Sequence, residues 1–161
     1  GLRTTATLYH DGLVYVGGEA RYAVIALRAS DGRVVWTFSG QAEPGRVVTD
    51  VNGVVTNVGT SWGTCEERNG GAPWTHGAID PELNLVYWGI GNPYPDYDGD
   101  ARRGDNLYTD CVVALDVDTG SLKWHYQFTP HDVWDYDGVN EMVLIDFARP
   151  SPRVIILPPL E

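Results

Sequence analysis

The chain is poor in cysteine, methionine and basic side chains, and each shortage removes a class of protein. Its two Cys, Cys65 and Cys111, show no CxxC spacing and are too few to build a disulfide framework. No pair among the four His has the spacing of a zinc site. Lys and Arg number 11 against 22 Asp and Glu, for a net charge of −11. That balance repels a phosphate backbone, and with no basic patch anywhere nucleic acid is not expected as a partner. Cations are the natural ligands. No apolar run approaches the roughly 20 residues that cross a bilayer, and Gly1 to His10 lack the basic start and apolar core of an export leader. No helical periodicity of useful length is present either.

What remains is aromatic and turn-rich. Six Trp, nine Tyr, ten Pro and nineteen Gly in a chain that is 43% apolar exclude disorder and describe a β protein. A repeat organises it. Ala26-Leu27-Arg28-Ala29-Ser30-Asp31-Gly32-Arg33-Val34-Val35-Trp36 matches Ala114-Leu115-Asp116-Val117-Asp118-Thr119-Gly120-Ser121-Leu122-Lys123-Trp124 at the Ala, Leu, Gly and Trp positions. Val24 to Leu27 and Val112 to Leu115 read as strands, Asp31-Gly32 and Thr119-Gly120 as the turns, and each following strand ends in a Trp suited to wedging between sheets. A further strand pair precedes each copy: Thr5 to Tyr9 with Leu13 to Val16, and Gly77 to Ile79 with Leu85 to Ile90. Repeated four-stranded antiparallel units with one Trp each describe the blades of a β-propeller, although an ordinary sandwich fits the same periodicity. The two Trp lie further apart than the roughly 40 to 50 residues of a usual blade. An insert over 41–71 accounts for the excess, with weak strand signals at Val47-Val48 and Val54-Val55. The organisation expected is an all-β propeller fragment: a blade over 1–40, the insert over 41–71, a blade over 72–128, then a loop and the start of another blade over 129–161. At roughly 45 residues per blade this is fewer than the four blades of the smallest closed ring, so the chain reads as a piece of a longer protein.

Three segments could carry chemistry. Thr129 to Glu141 places four carboxylates, two aromatics and His131 together. Asp135 and Asp137, two apart, project to one side of an extended segment, where a hard cation between them relieves their repulsion; the same residues also make an ordinary acidic loop. Gly89-Ile90-Gly91-Asn92-Pro93 follows the strand Leu85 to Trp88. Its glycines allow close approach of a ligand and Asn92 offers a hard oxygen, although the segment equally makes a strand-end turn. Trp74 follows Gly70-Gly71 and either stacks on a flat ring or packs as one Trp among six. Asp96-Tyr97-Asp98-Gly99-Asp100 is not a calcium loop of the EF-hand kind, because Ala101 and Leu107 stand where Gly and Glu are required. His76 and His125 sit in strand-like contexts.

Taken together, Trp74, Asp80 to Leu85, Gly89-Ile90-Gly91-Asn92-Pro93, Gly104-Asp105-Asn106, Ala114 to Gly120 and Thr129 to Tyr136 resemble the quinoprotein alcohol dehydrogenases of the methanol dehydrogenase type. These enzymes are eight-bladed propellers that use pyrroloquinoline quinone. The resemblance covers residues 70 to 147 strongly and 1 to 40 more loosely. It implies that Trp74 stacks under the quinone, that Asn92 and Glu19 bind the metal ion, and that Asp135 is the catalytic base and a metal neighbour. Asp137 matches the extra carboxylate of the lanthanide-dependent branch, whose added charge favours a trivalent ion over Ca2+. The stretch around Glu19 is about two residues short of the family pattern, Val16 replaces a Ser, and Ala72 replaces a Thr that contacts the quinone.

The reaction implied is oxidation of a primary alcohol such as methanol or ethanol to the aldehyde. A c-type cytochrome is the implied acceptor, the location periplasmic, and the full-length enzyme a possible homodimer. The alternatives are a non-catalytic Trp-docking scaffold of the outer-membrane assembly type, or a sugar or polymer quinoprotein dehydrogenase differing in the insert. Titration of the 161-residue chain with pyrroloquinoline quinone and lanthanum, followed by Trp fluorescence, is expected to show poor quinone binding; tight stoichiometric binding would contradict the fragment reading.

Overall fold

The computed structural model describes residues 7–18, 22–49, 55–65, 68–145 and 154–156. Its strands in chain order are β1 (Leu8–His10), β2 (Leu13–Gly18), β3 (Ala23–Arg28), β4 (Val34–Ser39), β5 (Val47–Thr49), β6 (Val55–Asn57), β7 (Ala78–Asp80), β8 (Leu85–Ile90), β9 (Cys111–Asp116), β10 (Leu122–Gln127), β11 (Met142–Leu144) and β12 (Val154–Ile156). Two antiparallel four-stranded sheets, β1-β2-β3-β4 and β7-β8-β9-β10, are the principal units, and β5-β6 and β11-β12 are two-stranded hairpins. The helical content among the described residues is two short 3-10 turns, Val58–Thr60 and Gly99–Arg102.

The repeated hairpins fold alike down to their irregularities. In β3-β4 the register shifts between Ala26 and Leu27, and in β9-β10 between Leu122 and Trp124. Trp36 pairs with Ala26 in the first hairpin and Trp124 with Ala114 in the second, so one extra residue precedes each Trp on its strand. Both turns use a left-handed glycine, Gly32 at φ 70° and Gly120 at φ 68°. The second is braced by Asp116, whose Oδ1 accepts from the Thr119 backbone N–H at 3.0 Å and the Thr119 hydroxyl at 2.9 Å.

Side-chain alternation then stacks the sheets. Val86, Trp88 and Ile90 of β8 and Val113 and Leu115 of β9 enter one core with Tyr15, Val24, Ala26, Trp36 and Phe38 of the first sheet. Tyr87, Val112 and Ala114 point the other way and pack with Met142 of β11. The second sheet is therefore covered on both faces, which is why β8 and β9 read as nearly continuous apolar runs.

Trp36 joins the two sheets. It is 7% exposed, its indole N–H donates to the Val117 carbonyl oxygen at 2.8 Å, and its ring lies on Gly120. A Cβ at Gly120 would come within 2.6 Å of that ring. The Tyr15 hydroxyl donates to the same Val117 oxygen at 3.3 Å. The turn of one repeat thus receives the Trp of the other. Trp124 packs at 5.7 Å between ring centres on Tyr87.

The 41–71 segment contributes the β5-β6 hairpin and then the fully buried Trp62, which donates to the Leu107 carbonyl at 2.6 Å. The weak strand signals correspond to this hairpin; the anchoring role of Trp62 had no signal in the repeat. His125 lies in β10 as expected, but His76 precedes β7 and is not in a strand. No disulfide joins Cys65 and Cys111.

Removing the wedge has separable costs. In the complete protein Trp36→Ala is expected to lower stability by about 3 to 5 kcal/mol. Trp36→Phe, which keeps most of the ring and loses the indole N–H, should cost about 1 kcal/mol. Denaturant midpoints measure both, and equal losses would mean that the ring contributes nothing beyond its hydrogen bond.

Candidate active site

The site is built where 69–74 runs against 91–94. Gly71 N–H donates to the Asn92 carbonyl at 2.8 Å, Tyr94 N–H to the Asn69 carbonyl at 3.0 Å, and Gly91 N–H to the Ala72 carbonyl at 3.0 Å. This lacing sets Trp74 beside Asn92. The glycines expected to admit a ligand serve the chain itself: a Cβ at Gly91 would meet the Trp74 indole nitrogen at 3.0 Å, and one at Gly89 the Val139 Cα at 2.9 Å.

The opposite wall is the loop after β10. The Asp132 side chain, fully buried, accepts the Trp134 N–H on Oδ1 at 2.9 Å and the Tyr136 N–H on Oδ2 at 2.8 Å. With those bonds made, Asp135 and Asp137 both take φ 67°. The extended backbone expected for this pair is therefore absent; a coiled loop with left-handed turns replaces it, because the Asp132 carboxylate gathers the N–H groups that a strand would present to a neighbour. Asp135 and Asp137 nonetheless face one space.

That space is an open cleft of about 590 Å³ lined by Trp74, Asn92, Asp135 and Asp137 together with Asp96, Tyr94, Ala72 and Tyr22. Four positions picked out separately along the sequence thus meet here. Glu19 lies outside the described residues. Asp96, dismissed with the EF-hand pattern, lines the cleft as well, and its Oδ1 accepts from the Asn92 side-chain amide at 2.7 Å. A longer bond runs from the same nitrogen to the Pro93 carbonyl at 3.3 Å. The Asn92 amide hydrogens are thereby used within the protein, and its carbonyl oxygen is the atom left for a cation. Tyr97 also escaped the sequence reading; its hydroxyl donates to Asp135 Oδ2 at 3.5 Å, and the Asp135 charge raises its pKa.

The electrostatics follow from carboxylate crowding. Burial first, then the charges of Asp96 and Asp132, raise the pKa of Asp135. Burial and the Asp135 charge raise that of Asp137, against a hydrogen bond with the Trp74 side chain that lowers it. Beneath the loop lies Asp110, fully buried, with neither carboxylate oxygen partnered among the described residues. Burial, reinforced by Asp132 and Asp137, pushes its pKa up to about 8. The donors at the cleft are all oxygens, as a hard cation requires. Among the described residues, however, no three Asp, Glu, His or Cys side chains converge into a closed ligand set. The arrangement is an open set of oxygens in a cleft that Trp74 also lines.

Residues 19–157 match the model of the glucose/ethanol/alcohol dehydrogenase β-propeller domain of the PQQ type. The chain belongs to this quinoprotein family. It is 45% identical over 97 residues to the quinoprotein alcohol dehydrogenase PedH of Pseudomonas putida, covering 60% of this chain and 16% of the relative. With the lanthanide-dependent methanol dehydrogenase of Methylorubrum extorquens it shares 46% identity over 88 residues, 55% of this chain and 14% of the relative. A solved europium-containing methanol dehydrogenase superposes with a TM-score of 0.75 at 31% identity, over 92% of this chain and 28% of that one. The chain spans less than a third of each. Its stacked four-stranded sheets are accordingly two blades of a quinoprotein propeller and the start of a third.

Asp110 gives a pH test. An Asp whose pKa is raised on folding binds more protons folded than unfolded, so its contribution to stability falls as pH rises from about 4 to about 8. In the complete protein without added metal Asp110→Asn should raise Tm, and by more at pH 8 than at pH 5. A gain independent of pH, or a loss at pH 8, would show that the Asp110 charge is compensated.

Proposed function

We propose that this chain supplies one side of the active site of an enzyme that oxidises a primary alcohol to its aldehyde with pyrroloquinoline quinone. The observation that supports it most directly is the meeting of Trp74, Asn92, Asp135 and Asp137 at one cleft. Bound in this cleft, the quinone would supply a hydride acceptor and a metal ion would supply Lewis acidity.

The residues present fit such a group. Trp74 offers an indole face for a flat ring. The Asn92 carbonyl oxygen, with its amide hydrogens bonded to Asp96 and Pro93, offers a neutral hard donor. Asp135 and Asp137 offer anionic ones, and these residues, with Glu19 by resemblance, would hold the ion. Asp135 takes the alcohol proton: its carboxyl is already displaced upward from the usual carboxylate range by burial and by Asp96 and Asp132, which makes it a better base than an ordinary Asp. Asp137 adds the negative charge that favours a lanthanide over Ca2+. The europium-containing neighbour is consistent with that choice. We extend the same proposal to a cytochrome c acceptor and a periplasmic location. A propeller serving only as a scaffold would use the Trp36 wedge but has no need of a carboxylate pair facing a Trp.

In the complete enzyme Asp135→Asn is expected to lower kcat by about 100-fold or more. Asp137→Ala should reduce lanthanide-supported turnover more than calcium-supported turnover. Steady-state kinetics with each ion measure both. Undiminished kcat in the first variant would remove Asp135 as base, and equal losses in the second would remove the reason to prefer a lanthanide.

A further inference from the structure

Arg102 is buried, 0% exposed, at the end of the 3-10 turn Gly99–Arg102. Its Nη2 donates twice, to the Asp96 carbonyl at 2.7 Å and to the Asp132 carbonyl at 2.5 Å. Nε donates to the Pro95 carbonyl at 2.8 Å, and Nη1 to Asn106 Oδ1 at 2.8 Å. The Asn106 amide closes the ring by donating back to the Arg102 carbonyl at 2.6 Å. One guanidinium nitrogen thus touches both walls of the cleft: the segment whose Asp96 side chain holds Asn92, and the loop whose Asp132 side chain holds the turns of Asp135 and Asp137. Nothing in the sequence marked this residue, since an Arg in a Gly- and Asp-rich loop reads as solvated charge.

We propose that Arg102 is a positioning residue that fixes the separation of the two walls, and so sets the size of cation the cleft accepts. The inference rests on the metal-binding reading of the cleft. Its logic is mechanical. Asp96 of one segment lines the same cleft as Asp135 and Asp137 of the other, its charge acts on both of them, and like charges push the two segments apart. The clamp opposes that push with bonds to backbone carbonyls, which move only with the chain. Lys cannot replace it, because a single ammonium has neither the planar fork nor the two separated nitrogens that reach Pro95 and Asn106 at once. Without the clamp the walls relax outward and the site favours a larger ion.

The test is binding to the complete, metal-stripped enzyme, read by Tb3+ luminescence sensitised through tryptophan, with La3+ and Lu3+ as competing ions of larger and smaller radius. Arg102→Lys is expected to weaken binding by about tenfold, and to shift the La3+ to Lu3+ affinity ratio by about threefold toward La3+. An unchanged ratio overturns the proposal, whether affinity is retained or both ions lose equally with a fall in Tm, because a merely structural role would not discriminate by radius. If Arg102→Lys does not yield folded enzyme, Asn106→Ala, which leaves Arg102 and its bonds to Pro95, Asp96 and Asp132 in place and removes only the two bonds between the Asn106 side chain and Arg102, should move the ratio in the same direction by a smaller factor; no movement overturns the proposal equally. Asp135→Ala with Asp137→Ala separates the two layers of argument. If that pair leaves Tb3+ luminescence intact, the cation does not bind in this cleft, and both the metal-binding reading and the clamp fall; if it abolishes the signal while Arg102→Lys leaves the ratio fixed, only the clamp does.

Discussion

The Trp36 wedge is the constraint on which the molecule turns. A four-stranded sheet of this size has too little apolar surface to stand alone, and its two faces are useful only when neighbouring sheets cover them. Trp36 couples the sheets with one hydrogen bond to Val117 and one ring contact on Gly120, both in the hairpin turn of the next repeat. Because Val117 and Gly120 lie in the turn between β9 and β10, the wedge also fixes how the second sheet is set relative to the first. The strand β8 that leads into Asn92 and the strand β10 that leads into the acidic loop belong to that second sheet. The geometry of the cleft is therefore inherited from inter-sheet packing.

Within the cleft the dominant effect is crowding of negative charge. Asp96, Asp135 and Asp137 line it, Asp110 and Asp132 lie fully buried, and the structure disposes of each in a different way. Asp132 spends its oxygens on backbone N–H groups, Asp96 takes a hydrogen bond from Asn92, and Asp110 is buried and held toward its neutral form by that burial and by Asp132 and Asp137. Asp135 and Asp137 line the cleft itself. Sorting by environment in this way turns five like residues into structural and chemical parts.

Much of this was legible along the chain, and the limits are physical. The repeat gave both four-stranded units, since hairpin turns and period-two alternation are local signals. Four of the residues that line the cleft, Trp74, Asn92, Asp135 and Asp137, were expected together through resemblance, as single types in recognisable order. The local backbone was misread at Asp135 and Asp137, because the competing partner was Asp132, whose capture of two N–H groups cannot be inferred from spacing. Gly89 and Gly91 were read as openings for a ligand, whereas they make room for Val139 and Trp74. Arg102, Asp110 and Trp62 carried no signal at all, as their roles arise from contacts between segments far apart in sequence.

The way Asp132 holds its loop has a consequence for ligand entry. Each of its carboxylate oxygens accepts one N–H of its own loop, from Trp134 and Tyr136, so the turns at Asp135 and Asp137 owe their shape to the chain and not to any ion. The ordering entropy of those turns is met during folding. On the proposed metal-binding reading, a cation arriving at the cleft would find its anionic donors already set, and association would be a matter of shedding water and balancing charge, with little rearrangement of backbone.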